Sequence, residues 1–259
     1  DVTKQTGLTN TSGWWNSLVA ADFDDDGDMD YLAGNLGLNS RYHASADEPV
    51  CIYAKDYDKN GRIDPVLCHF VEGKNYIAHS RDMLIEQINS MKGRFKTYDA
   101  YGKTTFERSF TSEELKDAYV VKSESFASSY LENKGNGRFE MRDLPMAAQV
   151  APIFGMQTGD FNEDGFLDVL LVGNSYATEI GIGRYDACKG VLLAGDGQGA
   201  FHTLTLKETA FFVDGDAKSL ACLLGRDAQP IWLAGRNNGQ TKVFAKSNDW
   251  KGKYIKVQA

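Results

Sequence analysis

One nine-residue pattern, D-x-[DN]-x-[DN]-G-x-x-D, occurs three times in the 259-residue chain. The copies are DFDDDGDMD at 22–30 (loop 1), DYDKNGRID at 56–64 (loop 2) and DFNEDGFLD at 160–168 (loop 3). Internal repeats restrict the architecture strongly, because each copy must solve the same local structural problem. Three copies with identical spacing are not expected by chance.

The oxygen-bearing side chains in these loops have the spacing of a calcium-binding loop. Ca²⁺ takes 6–8 oxygen ligands, and a short loop can present them from alternate positions if the backbone turns sharply at its centre. Positions 1, 3 and 5 carry Asp or Asn in every copy, position 6 is glycine and position 9 is Asp. Position 7 would offer its backbone carbonyl, so its side chain is free to vary, and it is Asp28, Arg62 or Phe166.

The segments beside the loops distinguish this pattern from an EF-hand. An EF-hand has a Glu at position 12 and helices on both sides. Here position 12 is Ala33, Leu67 or Leu171, and short apolar runs flank every loop. These runs predict strands. The loops are therefore predicted to join neighbouring strands; a set of ordinary turns rich in Asp, Asn and Gly remains the alternative.

The charge balance favours a bound cation and argues against two classes of partner. The loops hold thirteen carboxylates, and crowded carboxylates repel one another unless a cation is present. A formal net charge of -8 and a pI near 5.1 exclude a nucleic-acid binder that works through bulk charge. We expect no direct membrane insertion, because no apolar run approaches the roughly 20 residues of a spanning helix.

The four cysteines, Cys51, Cys68, Cys188 and Cys222, are too few and too scattered to indicate a disulfide scaffold. No C-x-x-C pair suggests zinc or redox chemistry. Each cysteine lies in an apolar stretch, so we expect buried thiols.

The rest of the chain predicts an all-β fold with one helical insertion. Hairpins are predicted at 128–144, at 190–206 and at 219–236, the last turning through 226–229. The periodicity becomes helical between 80 and 118, which we interpret as an insertion that packs over the sheets or, alternatively, acts as a catalytic lid. We expect the whole chain, 1–259, to be one domain.

DFDDDGDMDYLAGN and DFNEDGFLDVLLVGN resemble the repeat of the FG-GAP/VCBS proteins, and the opening DVTKQTGL resembles a phrase that often begins such repeats. The resemblance implies a β-propeller of the integrin α-chain type, here about four blade-equivalents. That number suggests a fragment of a larger propeller, within a longer chain, or an irregular arrangement of sheets. It also implies two to three Ca²⁺ ions in an extracytoplasmic protein. The residues implied at the ions are Asp22, Asp24, Asp26, Asp28 and Asp30, then Asp56, Asp58, Asn60, Arg62 and Asp64, then Asp160, Asn162, Asp164, Phe166 and Asp168.

Three connections rich in Asn, Arg and Tyr, at 34–42, 173–186 and 235–240, follow second strands of the blade-equivalents. Equivalent connections of a propeller lie on one face. We hypothesise a recognition face for a glycan, peptide or protein; solvated loops remain the alternative. The residues of this hypothetical face are Asn35, Arg41, Asn174, Tyr176, Glu179, Arg184, Asp186, Arg236 and Asn237.

No catalytic constellation stands out in the sequence, so the preferred function is a non-catalytic binding or adhesion module. The alternative is a propeller hydrolase or lyase acting on polysaccharide. Such an enzyme needs two carboxylates that are not occupied by metal. Glu179 and Asp186 are the pair that we would test.

Overall fold

The structure is a computed structural model that describes residues 1–225 and 229–246, together with the backbone of 255–258. The predicted turn residues 226–228 lie outside the described residues. Strands are the dominant element. They are β1 (Ser17–Ala21), β2 (Asp30–Gly34), β3 (Val50–Lys55), β4 (Asp64–Val71), β5 (Lys74–Ile77), β6 (Tyr119–Ser123), β7 (Ser129–Asn133), β8 (Phe139–Asp143), β9 (Ile153–Gly159), β10 (Asp168–Gly173), β11 (Val191–Gly195), β12 (Phe201–Leu204), β13 (Asp216–Leu224), β14 (Pro230–Asn237), β15 (Lys242–Lys246) and β16 (Ile255–Gln258).

The helices are short, and most of them lie between β5 and β6, inside the segment predicted to be helical. In the described residues, every helix is too short or too polar to cross a membrane. The α-helices are α1 (Thr3–Thr6), α2 (Arg81–Gln87), α3 (Met91–Arg94), α4 (Tyr98–Gly102), α5 (Phe106–Ser109), α6 (Ser112–Leu115) and α7 (Leu206–Thr209), with a 3-10 helix at Met146–Gln149.

The strands form four antiparallel sheets of four strands each, in the orders β1-β2-β7-β8, β5-β4-β3-β6, β9-β10-β11-β12 and β13-β14-β15-β16. The prediction of a β-rich fold is confirmed. The predicted hairpins at 128–144, 190–206 and 219–236 correspond to the pairs β7–β8, β11–β12 and β13–β14.

The chain divides into two compact units, whereas its sequence predicts one domain. Unit 1 comprises the described parts of 1–9, 14–41 and 126–259, and unit 2 comprises 10–13 and 42–125. Unit 2 therefore interrupts the sheet β1-β2-β7-β8 between β2 and β7. The interruption is longer than the predicted helical insertion, because it contains a complete sheet as well as the helices.

In unit 1, the continuously apolar sequence of β10 is explained by its burial. All six of its residues are buried. Val169 and Leu171 pack with Leu32 of β2, while Leu170 and Val172 pack with Trp232 of β14. Since successive side chains of a strand point to opposite faces, the sheet of β10 is covered on both faces.

In unit 2, helices α2, α3 and α5 cover one face of the sheet. Val66 and Cys68 of β4 share a core with Leu84 and Ile88, and the remaining buried members of that core are Met91, Phe95, Phe106 and Phe110. The spacing of the apolar residues in the helices thus serves packing against the sheet.

Candidate metal-binding loops

Each repeated loop connects two antiparallel strands: loop 1 joins β1 to β2, loop 2 joins β3 to β4, and loop 3 joins β9 to β10. The predicted strands on both sides of the loops are thereby confirmed, and the helical surroundings of an EF-hand are absent from all three. The Asp at position 9 begins the second strand in every case. Asp30, Asp64 and Asp168 are all buried.

The same hydrogen bonds shape all three loops. The carboxylate at position 1 accepts from the backbone N–H groups of positions 5 and 6, which closes the turn. The bonds from the glycine N–H groups measure 3.0 Å from Gly27 to Asp22, 2.8 Å from Gly61 to Asp56 and 3.0 Å from Gly165 to Asp160. The loops are therefore three copies of one structure as well as one pattern.

Glycine is required at position 6 by its backbone angle. The φ angles are 90° at Gly27, 85° at Gly61 and 94° at Gly165, and an added Cβ would meet no atom within 4 Å at any of them. Strain in the left-handed region, rather than lack of space, disfavours other side chains. Position 4 also has positive φ in each loop although it is not glycine, a feature that the sequence pattern does not reveal.

Loops 1 and 2 each bring three carboxylates together. Asp22, Asp24 and Asp30 offer oxygens that all lie within 4.8 Å of one another, and Asp56, Asp58 and Asp64 do the same. These are positions 1, 3 and 9 of the pattern. Each of the two triads could hold a metal ion.

Asp24 carries the side-chain oxygen of loop 1 that is best suited to a cation. Its Oδ1 atom is buried and has no hydrogen-bond partner in the structure. Burial, followed by the nearby carboxylates of Asp30 and Asp26, raises the pKa of Asp24. A buried anionic oxygen without a hydrogen bond is costly, and a bound cation would remove that cost.

Two residues of β7, Tyr130 and Asn133, complete loop 1, and the sequence pattern predicts neither of them. Tyr130 donates its hydroxyl to Asp30 Oδ2 at 2.7 Å, and the N–H of Asn133 donates to Asp30 Oδ1 at 2.8 Å. Glu132 of the same strand adds to the negative potential at Asp24. No local signal could identify these residues, because they lie about one hundred positions from the loop.

Loop 2 resembles loop 1 around its buried carboxylate. Asp64 Oδ2 accepts from the N–H of Tyr57 at 3.0 Å. Burial, and more weakly the charges of Asp58 and Asp56, raise the pKa of Asp64. Asn60 at position 5 accepts from the N–H of Arg62 at 2.8 Å, and the Arg62 side chain is exposed.

Loop 3 has the same backbone but a weaker set of charges. Asn162 replaces Asp at position 3, and its amide donates to Asp164 Oδ2 at 2.7 Å. Burial raises the pKa of Asp168 to about 6, against three backbone N–H donors that lower it. Among the described residues, loop 3 contains no group of three acidic side chains close enough together to hold a metal ion.

The side chains at positions 5 and 7 lie outside the two acidic triads. Asp26, Asp28 and Phe166 are exposed, and the Asp26 carboxylate accepts from the N–H of Asp28 at 2.8 Å. Asp164 makes the corresponding bond to the N–H of Phe166 at 2.9 Å. In the described structure these position-5 side chains brace the turn.

Two residues of the hypothetical recognition face do not lie on a surface. Asn35 and Asn174 are fully buried. Asn174 donates to the carbonyls of Cys188 and Gly215 at 2.8 and 2.7 Å, and Asn35 Nδ2 donates to Ala127 at 3.3 Å. The amides of these two side chains therefore satisfy buried backbone groups, as an Asn that follows a strand can do.

The three polar connections of unit 1 are nevertheless linked to one another. The hydroxyl groups of Ser40 and Tyr185 lie 3.1 Å apart, joining 34–42 to 173–186. Asp216 accepts from the N–H of Tyr176 at 3.3 Å and from Asn237 Nδ2 at 3.1 Å, joining 173–186 to the third connection. The predicted proximity of these segments agrees with the structure.

Most of the other face residues are exposed. The guanidinium of Arg184 stacks on Tyr176, with its Cζ 4.6 Å from the ring centre. Arg236 instead pairs with Asp214 at 2.8 Å and also donates to the carbonyl of Gln240, so it supports the local backbone. The exposed members are Arg41, Glu179, Arg184, Asp186 and Asn237.

Comparison with protein-family models and with curated proteins gave no match to this chain.

Proposed function

We propose that the chain is a non-catalytic, Ca²⁺-stabilised binding or adhesion module that acts outside the cytoplasm and belongs to the FG-GAP/VCBS propeller proteins. The observation that carries this proposal is the convergence of three carboxylates in each of loops 1 and 2, at the point where two strands meet. The four sheets of four antiparallel strands are what blades of a propeller would supply.

The donor atoms favour calcium over other ions. The three loops contain carboxylate, amide and carbonyl oxygens and neither His nor Cys, which disfavours zinc and copper. The unbonded, buried Oδ1 of Asp24 fits a cation ligand. Asp22, Asp24 and Asp30 would hold the ion in loop 1, and Asp56, Asp58 and Asp64 the ion in loop 2. The bound ion would neutralise the carboxylates and fix the two strands at each loop.

Loops of this kind in extracellular modules bind calcium weakly, with dissociation constants of about 10⁻⁴–10⁻³ M. Such sites fill only where free calcium is abundant, which supports a location outside the cytoplasm. The linked connections of unit 1 support a recognition face, now reduced to Arg41, Tyr176, Glu179, Arg184, Asp186 and Asn237. An aromatic ring stacked with a guanidinium suits a glycan, peptide or protein ligand.

A calcium titration of the melting temperature tests the proposed function. An ion that binds only the folded state should raise the melting temperature with the logarithm of its concentration. Substituting Asp22→Asn together with Asp24→Asn should weaken this dependence, whereas Asp25→Asn, at an exposed position of the same loop, should preserve it. The proposal of a calcium-stabilised module fails if a chelator leaves the melting temperature unchanged.

The recognition face and the enzyme alternative can be separated with substrates. The parent protein should bind to an array of glycans and peptides, and the double variant Tyr176→Ala, Arg184→Ala should not. Lys207→Ala, on the surface of α7, is the matched control and should bind as the parent does. Turnover of polysaccharide that disappears in a Glu179→Ala, Asp186→Ala variant would instead favour the hydrolase or lyase.

A further inference from the structure

Cys51 and Cys68, scattered in the sequence, are directly opposite each other in unit 2. They are register partners on the antiparallel strands β3 and β4. Directly opposite side chains lie on the same face of a sheet, and both residues belong to the core beneath the helices. Both are free cysteines in the structure, Cys51 half-buried and Cys68 buried.

The backbone spacing of such a pair permits a disulfide. Opposite residues of antiparallel strands have Cα atoms about 4.5 or 5.5 Å apart, depending on the hydrogen-bonding type of the pair. Both values lie within the range of about 4.4–6.8 Å found for disulfides. The Cβ atoms of opposite residues are about 4.5–5.5 Å apart, whereas a disulfide averages about 3.8 Å. Closing the bond would draw the strands together, and this strain favours a bond that is easily reduced.

We propose that Cys51 and Cys68 are a reversible cross-strand disulfide site, which exchanges with disulfide compounds of low molecular weight. The site lies on the hairpin that carries loop 2, so the bond would close a covalent ring around that loop. The proposal depends only on the register of β3 and β4 and not on the presence of a metal.

Cys51 is placed to react first. It is the more exposed of the two thiols, and Lys122 of β6 is its register partner on the other side. Interaction with the neighbouring Cys68 thiol, aided by the charge of Lys122, lowers the pKa of Cys51. A thiolate at Cys51 is the nucleophile that disulfide exchange requires.

The reaction balances with an aliphatic disulfide as oxidant. The Cys51 thiolate attacks one sulfur of oxidised glutathione, forms a mixed disulfide and releases one glutathione thiolate. Cys68, after losing its proton, attacks the Cys51 sulfur and releases the second. Two protein thiols are oxidised to one disulfide, one glutathione disulfide is reduced to two thiols, and the two protons pass to the released thiolates.

Mass mapping of the unmodified full chain tests the site. The protein is equilibrated in glutathione buffers from fully reduced to fully oxidised, quenched by alkylation and digested without reductant. We expect a peptide containing Cys51 linked to one containing Cys68, a mass loss of two hydrogens, and return of both thiols in excess reduced glutathione. In Cys68→Ser the second step is blocked, so Cys51 should retain one glutathione.

Two thiols of unit 1 supply the controls. A Cys188→Ser, Cys222→Ser variant should form the linked peptide to the same extent as the parent, and the exposed Cys222 of the parent reports that the oxidant is active. The proposal is overturned if Cys51 and Cys68 are still reduced, and therefore alkylated, in the most oxidising buffer while Cys222 has been modified by the oxidant. A linked peptide that excess reduced glutathione leaves intact would overturn its reversibility.

Discussion

Asp30, a proposed metal ligand, also has a structural role. Its carboxylate accepts hydrogen bonds from Tyr130, Phe23 and Asn133 at 2.7, 3.2 and 2.8 Å, and it is fully buried. Replacing Oδ2 by an amide NH₂ would remove the acceptor of Tyr130 and Phe23, and replacing Oδ1 would remove the acceptor of the Asn133 N–H. The Asp repeated at this position of all three loops therefore serves folding as well as the proposed metal binding.

We predict that Asp30→Asn lowers the free energy of unfolding in the presence of a chelator by about 2–3 kcal/mol, because it leaves buried donors unsatisfied. Urea unfolding measures the change. Asp25→Asn is the matched control: Asp25 is exposed and has a φ of 59°, which Asn tolerates well. Equal stabilities of the two variants would contradict the role assigned to the hydrogen bonds of Asp30.

At the scale of elements, Glu114 joins two helices of unit 2. Its side chain closes the capping box of α6 with Thr111 and forms a two-pronged ion pair with Arg94 of α3, at 2.8 and 3.1 Å. The hydrogen bonds from Arg94 lower the pKa of Glu114 from 4.5 to about 2. Because the folded-state pKa is the lower one, this stabilisation is complete above the ordinary pKa and is lost as the pH falls towards 2.

We predict that Glu114→Gln destabilises the protein at neutral pH by about 1 kcal/mol, a value kept small because the pair is partly exposed to solvent. The difference from the parent should shrink between pH 4.5 and pH 2. Urea unfolding across this range provides the measurement. Glu113→Gln, at a side chain that is 86% exposed, should change little at any pH; a constant difference for Glu114→Gln would contradict the ion pair.

Local patterns predict local elements in this chain and fail for distant pairs. The turn chemistry of Asn136 and Gly137, or of Gly197 and Gly199, identifies hairpins because both strands are adjacent in sequence. The pairing of β2 with β7 has no such signal, since residues 42–125 lie between the strands. For the same reason the contacts of Tyr130 with loop 1 could not be predicted, and Cys51 and Cys68 were treated as separate thiols.

At the scale of the whole molecule, the proposed ions divide between the two units, with loop 2 alone in unit 2. We predict that Asp56→Asn with Asp58→Asn accelerates amide hydrogen exchange in the strands β3 and β4 and leaves β1 and β2 unchanged, in calcium-containing buffer. Asp22→Asn with Asp24→Asn should instead accelerate exchange in β1 and β2 and leave β3 and β4 unchanged. Hydrogen exchange followed by mass spectrometry measures the exchange rates in both variants. Faster exchange throughout the chain in either variant would contradict the independence of the two sites.

The interruption of one sheet by a complete unit also sets an order of events during synthesis. A ribosome releases the chain from its N-terminus, at about 5–20 residues per second. The last residue of unit 2, Ser125, is synthesised before β7. The sheet of unit 2 can therefore form while β2 still lacks its partner strand β7. An isolated pair of strands is marginal in water. Until β7 and β8 emerge, the nascent chain therefore carries the incomplete sheet of β1 and β2 ahead of unit 2.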